Sequence, residues 1–145
     1  MFLGQFEHTI DAKGRLTIPS IYRDEVPEGI FLMQGYDGNL DAYPRNLFDL
    51  LIVNTRNGSI TQYENRSIRR HLFSTARWLE FDSAGRILIP SFLKEIGNIN
   101  SSVIIAGIGD YFEVWNPDRW AEIQSIDSAS ESPSRRWEDK DIFLK

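Results

Sequence analysis

The sequence DAKGRLTIP at residues 11–19 returns as DSAGRILIP at residues 82–90. The Asp, Gly, Arg and Pro keep the same relative positions in both copies, which begin 71 residues apart, at 11 and at 82. A repeat of this length predicts that one structural unit is used twice. The charged turn inside each copy is therefore expected to lie on a common working surface.

The repeat continues beyond these two stretches. The apolar run at residues 30–35 is matched by residues 103–107, and both are followed by an Asp/Gly turn and a second apolar strand. The separation here is 72, which indicates one inserted residue. Each half therefore predicts a strand, the charged turn, a short strand ending at Pro, a short helix, a hairpin and a second helix.

This pattern divides the chain into four segments. Residues 1–53 form a first repeat with its helix, residues 54–76 a linking helix, and residues 77–124 a second repeat with its helix. Thr61 and Glu64 have the spacing of a capping box at the start of the linking helix. Residues 125–136 are rich in Ser and charge, which favours a flexible tail over residues 125–145. The alternative is that the apolar residues of this tail, Trp137, Ile142, Phe143 and Leu144, dock on the protein or on a neighbour.

Composition limits the classes of function. The chain has 145 residues and no Cys, which excludes disulfides and thiol chemistry and favours an intracellular protein. No apolar run approaches a membrane span, and we expect no secretory signal at the start. His8 and His71 stand far apart and outside any triad or metal spacing. We therefore expect no enzyme activity, cofactor, metal or small-molecule substrate, and a cytoplasmic location.

The charge distribution leaves two interpretations open. The net charge of −5 argues mildly against nucleic acid, whose phosphates bind Lys and Arg. However, residues 56–77 hold five Arg and one acid, whereas residues 110–131 hold six acids and one base. The molecule could have one basic and one acidic face, or two ordinary solvated surfaces.

The repeated turn carries the candidate chemistry. An Arg there offers a planar fork of donors to phosphate or to the O6/N7 edge of guanine. Alternatively, Asp11 pairs with Arg15, and Asp82 with Arg86, only to hold the turn. The binding and the structural interpretation can both be true, because an Asp that orients its Arg reduces the conformational entropy that the Arg side chain loses when it binds a ligand. Lys13 adds a base to the first copy alone.

Particular stretches carry a family resemblance. Residues 81–94 resemble the swapped-hairpin DNA-binding domain of the AbrB superfamily. The opening residues 1–11, the doubled Asp-x-x-x-Arg motif and residues 107–115 are together similar to the MraZ family of bacterial regulators. The similarity extends from residue 1 to about residue 123.

The resemblance implies a fold and an assembly. It implies an α+β, mainly β fold, in which two pseudo-symmetric AbrB-like β-hairpin repeats form a barrel-like core with helices between and after them. It also implies a ring-shaped homo-oligomer that binds directly repeated, G-rich boxes of double-stranded promoter DNA.

The function implied is that of a transcriptional regulator, usually a repressor, of the division and cell wall gene cluster, associated with the nucleoid. Carried over by position, the DNA-binding residues are Asp11, Lys13, Arg15, Asp82 and Arg86. The basic helix with Arg66, Arg69 and Arg70 is a weaker candidate, for DNA or for the seam between subunits.

Two alternatives share these features. A ring-forming protein-interaction scaffold would use the Arg turns as interface contacts. An antitoxin-like regulator would use the same DNA chemistry beside a toxin gene.

Overall fold

The same series of elements occurs twice in the structure, a computed structural model that describes residues 1–129. The first repeat comprises β1 (Gln5–Thr9), β2 (Arg15–Thr17), α1 (Ser20–Arg23), β3 (Ile30–Gln34), β4 (Leu40–Tyr43) and α2 (Arg45–Thr55). Helix α3 (Tyr63–Phe73) leads to the second, which comprises β5 (Arg77–Leu79), β6 (Arg86–Leu88), α4 (Ser91–Ile96), β7 (Ser102–Gly107), β8 (Phe112–Trp115) and α5 (Pro117–Ser128). This order confirms the prediction of a mainly sheet protein with two repeats and a few helices.

The strands of the two repeats are interleaved. A six-stranded antiparallel sheet has the order β1-β7-β8-β4-β3-β5, and β2 pairs with β6 in a separate two-stranded ribbon. When each strand is replaced by its equivalent in the other repeat, the same strand order is obtained in reverse. A pseudo-two-fold axis therefore passes between β4 and β8. Within residues 1–129, only the hairpins β3–β4 and β7–β8 pair strands of one repeat, and the other four ladders join one repeat to the other.

The predicted barrel-like core is not confirmed. In the described part of the chain the sheet ends at β1 and β5, which pair with β7 and β3 respectively and not with each other. The ribbon packs across this open sheet through Leu16 and Ile87, both fully buried. The observed architecture is therefore a layered one.

Side chains alternate between the two faces of the sheet along each strand, and this alternation shows which elements form each layer. In β3, Ile30 and Leu32 join the main core with the ribbon, whereas Phe31 and Met33 join a second cluster on the opposite face. Helices α2 and α3 cover that opposite face over β3, and α5 covers it over β7. The ribbon with α1 and α4 thus forms one outer layer, and the long helices form the other.

The strand register corrects the sequence alignment of the repeats. Phe31 faces Tyr43 and Trp78, and Ile104 occupies the equivalent place opposite Trp115 and Glu7. Phe31 and Ile104 are 73 positions apart, so the separation of 72 inferred for this strand is wrong by one residue. Helix α4 is two residues longer than α1, and the β7–β8 turn is one residue shorter than the β3–β4 turn.

Two helix boundaries also differ from the sequence prediction. Helix α3 begins at Tyr63 after Gln62, without a side-chain cap, because the Thr61 hydroxyl is 2.7 Å from the Ser59 hydroxyl instead of bonding the helix amides. The predicted capping box is therefore wrong. Helix α5 continues to Ser128, so residues 125–128 are helical, and the predicted tail from residue 130 onward lies outside the described residues. No helix among residues 1–129 is long and apolar enough to cross a membrane.

Candidate nucleic-acid interface

The ribbon of β2 and β6 separates apolar from polar side chains by strand alternation. Leu16 and Ile87 face each other across the ladder and point into the core. Their neighbours point to the opposite side, where they are partly or fully exposed; these are Arg15, Thr17, Arg86 and Leu88. The ribbon therefore presents a short outer face with two guanidinium groups.

The first turn holds its Arg through one carboxylate. Asp11 Oδ1 accepts hydrogen bonds from the backbone N–H groups of Lys13 at 3.0 Å and Arg15 at 2.9 Å. Asp11 Oδ2 accepts from Arg15 Nε at 2.7 Å. Gly14 has φ +85°, a conformation that side-chain-bearing residues rarely adopt, and this lets the chain reverse between Asp11 and Arg15.

The second turn repeats this geometry. Asp82 Oδ1 accepts from the N–H groups of Ala84 and Arg86, both at 2.9 Å, and Oδ2 accepts from Arg86 Nε at 2.8 Å. Gly85 has φ +76° and takes the place of Gly14. The repeated phrase in the sequence therefore encodes one turn with the same set of hydrogen bonds in both copies.

The Asp carboxylates orient the guanidinium groups without occupying them. Backbone N–H donors from Arg15 and Arg86, with their side chains, hold the pKa of Asp11 and of Asp82 below the usual value, so both acids remain charged at neutral pH. Each Arg contacts its own Asp through Nε, and this hydrogen bond does not use the terminal nitrogens. The Arg15 and Arg86 side chains are 33% and 31% exposed, so both remain partly accessible to solvent.

The two turns lie side by side because the ribbon joins them. Ile18 N–H donates to Gly85 C=O at 3.1 Å, and Ile89 N–H donates to Gly14 C=O at 3.0 Å. Arg86 Nη1 also approaches Asp11 Oδ2 at 3.9 Å, across the boundary between the repeats. The residues predicted from the motif are thus assembled at one site.

Two further cations adjoin these turns and were missed in the sequence analysis. Arg23 is the last residue of α1, donates from Nε to Ile18 C=O at 2.9 Å and lies against Gly85. Lys94 in α4 lies against Gly14, with its Cδ 3.7 Å from where a Cβ would stand. Both occupy the same position of the repeat, 71 residues apart. A basic residue at this position in both copies is the sequence signal that could have identified them.

The remaining residues predicted to bind DNA lie in two places, one at this site and the other on the opposite side of the sheet. Lys13 is exposed on the first turn, where the second copy has Ala84. Arg66, Arg69 and Arg70 belong to α3, whose Leu72 packs with Met33 on the sheet face opposite the ribbon. Arg66 donates from Nη1 to Ile60 C=O at 2.8 Å. The α3 arginines are therefore not assembled with the turns.

The fold and the site define a class of duplicated, strand-swapped β protein that displays paired Asp–Arg turns on a basic ribbon. A family model described as "MraZ protein, putative antitoxin-like" matches the chain twice, at residues 1–71 and 72–140. The chain therefore belongs to the MraZ family.

Curated relatives agree over most of their length. A protein named transcriptional regulator MraZ from Roseiflexus castenholzii is 41% identical over 132 residues, covering 91% of this chain and 92% of the relative. One of the same name from Roseiflexus sp. is 42% identical, with the same coverage. Another, from Mycoplasmoides gallisepticum, is 38% identical over 116 residues, covering 80% of this chain and 82% of the relative.

Proposed function

We propose that the chain is a DNA-binding transcriptional regulator that reads promoter DNA with its β2–β6 ribbon. The observation that carries this proposal is the pair of Asp-oriented, partly exposed guanidinium groups of Arg15 and Arg86 on one outer face. Relatives named as transcriptional regulators support the same class of function.

The ribbon is proposed to enter the major groove of the duplex. B-DNA admits a two-stranded β-ribbon there, and Arg makes its commonest specific contact with the O6 and N7 atoms of guanine. Asp11 and Asp82 fix the Nε of each Arg, so the terminal nitrogens lose less conformational entropy when they contact a base. The carboxylates thus position the arginines and are not themselves contacts to the acidic duplex.

Phosphate contacts come from the cations around the turns. Lys13 on the first turn, Arg23 against Gly85 and Lys94 against Gly14 flank the ribbon on its working side. Such cations fix the register of a protein on the duplex and carry no sequence information. They also compensate locally for the net charge of −5.

One subunit offers too few base contacts for tight binding. A bidentate pair discriminates a base by about 1–3 kcal/mol, and the ribbon has two candidate arginines. We infer that subunits associate in a ring and bind directly repeated promoter boxes, which raises affinity through effective concentration. A regulator of this type at the division and cell wall gene cluster would act as a repressor by occupying the promoter, in association with the nucleoid.

The test removes both guanidinium groups. Arg15→Ala combined with Arg86→Ala is expected to abolish binding to a direct-repeat promoter fragment in a mobility-shift assay, with folding retained. Arg15→Lys combined with Arg86→Lys keeps the charge but loses the planar fork, so we expect salt-dependent, non-specific binding to remain. Arg56→Ala, at the end of α2 on the helix side, serves as the off-site control.

The outcomes separate this function from its alternatives. Unchanged affinity in the double Ala variant would contradict the proposal. Loss of the oligomer in that variant would favour a protein-interaction scaffold whose seams contain the turns. An antitoxin-like regulator shares the DNA contacts, and the matching family description includes that term, so copurification with a neighbouring toxin would distinguish it.

A further inference from the structure

We propose that Leu88 is a specificity-determining residue of the β2–β6 ribbon and contacts the 5-methyl group of a thymine beside the base that Arg15 contacts. This inference rests on the proposed DNA binding and deepens it, because it adds an apolar base contact to the two guanidinium groups. It does not depend on how copies of the chain associate.

The outer face of the ribbon has four corners. Arg15 faces Leu88 across the ladder, and Thr17 faces Arg86. The two arginines therefore lie on one diagonal and the two uncharged side chains on the other. Residues that face each other in an antiparallel pair have Cβ atoms about 5 Å apart, and successive base pairs of B-DNA are about 3.4 Å apart. The side chain opposite Arg15 can therefore reach the base pair next to the one that Arg15 contacts.

Leu88 is the apolar corner of this face, and its side chain is uncovered. It is 58% exposed. Its Cδ1 lies 3.8 Å from where a Cβ of Gly14 would stand, so the absence of a side chain at Gly14 leaves this methyl group open beside the first turn. An exposed Leu by itself is ordinary, but this one stands on a charged face, directly opposite an Arg that a carboxylate orients.

The second copy of the repeat has no equivalent apolar corner. Thr17 occupies the position of Leu88, 71 residues earlier in the chain, and is only partly exposed. The guanidinium group of Arg23 lies against Gly85 at the second turn, whereas Lys94 approaches Gly14 at the first turn through its aliphatic Cδ. The two halves of the ribbon therefore differ in the bases that they can contact.

The chemistry of the major groove determines which base suits Leu88. Guanine, cytosine and adenine present hydrogen-bonding groups there, whereas thymine also presents its C5-methyl group. An apolar side chain placed against hydrogen-bonding groups would remove their water without replacing its hydrogen bonds. Against the thymine methyl group it buries apolar surface instead, which for one carbon corresponds to about a four-fold change in affinity.

The test removes the methyl group from the DNA and the apolar side chain from the protein. The full-length wild type first selects its tightest-binding duplex from random DNA. Each thymine of that duplex is then replaced in turn by deoxyuridine, which keeps the hydrogen-bonding atoms and deletes only the methyl group. At one position, next to a guanine, the wild type is expected to lose about four-fold in affinity. Leu88→Ala should bind the thymine duplex with a similar loss and should no longer distinguish thymine from uracil there, because the two changes remove the same contact.

The controls separate this contact from general effects on binding. Leu50, on α2 at the helix side of the sheet, is 53% exposed, and Leu50→Ala should keep the full preference for thymine. Circular dichroism establishes that each variant is folded. A full thymine preference in folded Leu88→Ala, a wild type that is indifferent to every thymine methyl group, or loss of the preference in Leu50→Ala as well would overturn the inference. Each of these outcomes leaves DNA binding itself intact, whereas a chain that selects no duplex would contradict the proposed function together with this inference.

Discussion

At the residue scale, the least expected group is a carboxyl in the centre of the sheet. Asp41 on β4 is 4% exposed and faces Glu113 on β8 directly across the ladder. Asn39 Nδ2 donates to Asp41 Oδ1 at 2.8 Å, and Trp115 Nε1 donates to Glu113 Oε1 at 3.0 Å. Burial first, and then the neighbouring Glu113 and Asp37, raises the pKa of Asp41 to about 7. The pKa of Glu113 is also raised by burial.

The raised pKa of Asp41 predicts stability that falls with rising pH. The unfolded chain releases this proton near the ordinary Asp pKa of 3.8, whereas the folded chain keeps it until about pH 7. Between these values the folded state binds more protons, so stability should decrease by on the order of a few kcal/mol and then level off. Asp41→Asn keeps the acceptor for Asn39 and should flatten this slope, with its largest gain in thermal stability at mildly alkaline pH.

The exposed acid Asp49 on α2 provides the comparison for Asp41. Asp49→Asn should leave the slope of melting temperature against pH close to that of the wild type. A wild-type slope that persists in Asp41→Asn would show that another group, with Glu113 the first candidate, holds the proton.

The sequence could not reveal this carboxyl pair, although it predicted the turn residues. Asp11 and Arg15 are close in the chain, so their spacing alone predicted their contact, and the repeat predicted the same for Asp82 and Arg86. Asp41 and Glu113 become neighbours only through the pairing of β4 with β8, which is set by the interleaving of the repeats. A short-range pattern carries no information about such a contact.

At the scale of elements, the two turns are alike in backbone but differ in surroundings. A Cβ on Gly14 would meet Ile89 O at 3.4 Å, an ordinary contact. A Cβ on Gly85 would overlap the guanidinium group of Arg23, so the Arg23 side chain would have to move. The equivalence of the repeats is therefore incomplete at the ribbon.

This difference predicts unequal effects of the same substitution. Gly14→Ala should cost about 1–2 kcal/mol of unfolding free energy, because its positive φ is strained for Ala. Gly85→Ala should cost about 1 kcal/mol more, since it also breaks the Arg23–Ile18 hydrogen bond. Urea denaturation of both variants measures the difference, and equal costs would show that Arg23 moves aside freely.

Element order was predictable from the sequence, whereas register and helix ends were not. The apolar runs and Pro-ended strands predicted where strands and short helices lie, because each depends on local pattern. The alignment of residues 30–35 with residues 103–107 failed by one position, since matching Gly35 to Gly107 ignored the shorter β7–β8 turn. Cross-strand pairing decides which residue faces the core. The one-residue difference in length between the two hairpin turns could not be inferred from the sequence pattern.

At the scale of the whole molecule, the fold depends on contacts between the repeats. The ladders β1–β7, β3–β5, β2–β6 and β4–β8 all join one repeat to the other. Each repeat alone retains only one hairpin, and a two-stranded hairpin is at best marginally stable in water. We therefore expect residues 1–53 and 77–124 to fold as one cooperative unit.

This interleaving predicts that the chain survives a cut between its halves. A protease site inserted between Gly58 and Ser59, in the turn between α2 and α3, breaks no strand ladder. After cleavage, the two fragments should coelute under native conditions and unfold in one transition, because every ladder between the repeats remains. Expressed separately, each fragment should lack a stable monomeric fold and regain one when the two are mixed. Fragments that separate after cleavage, or that fold alone as monomers, would show that the hairpins and helices of one repeat suffice.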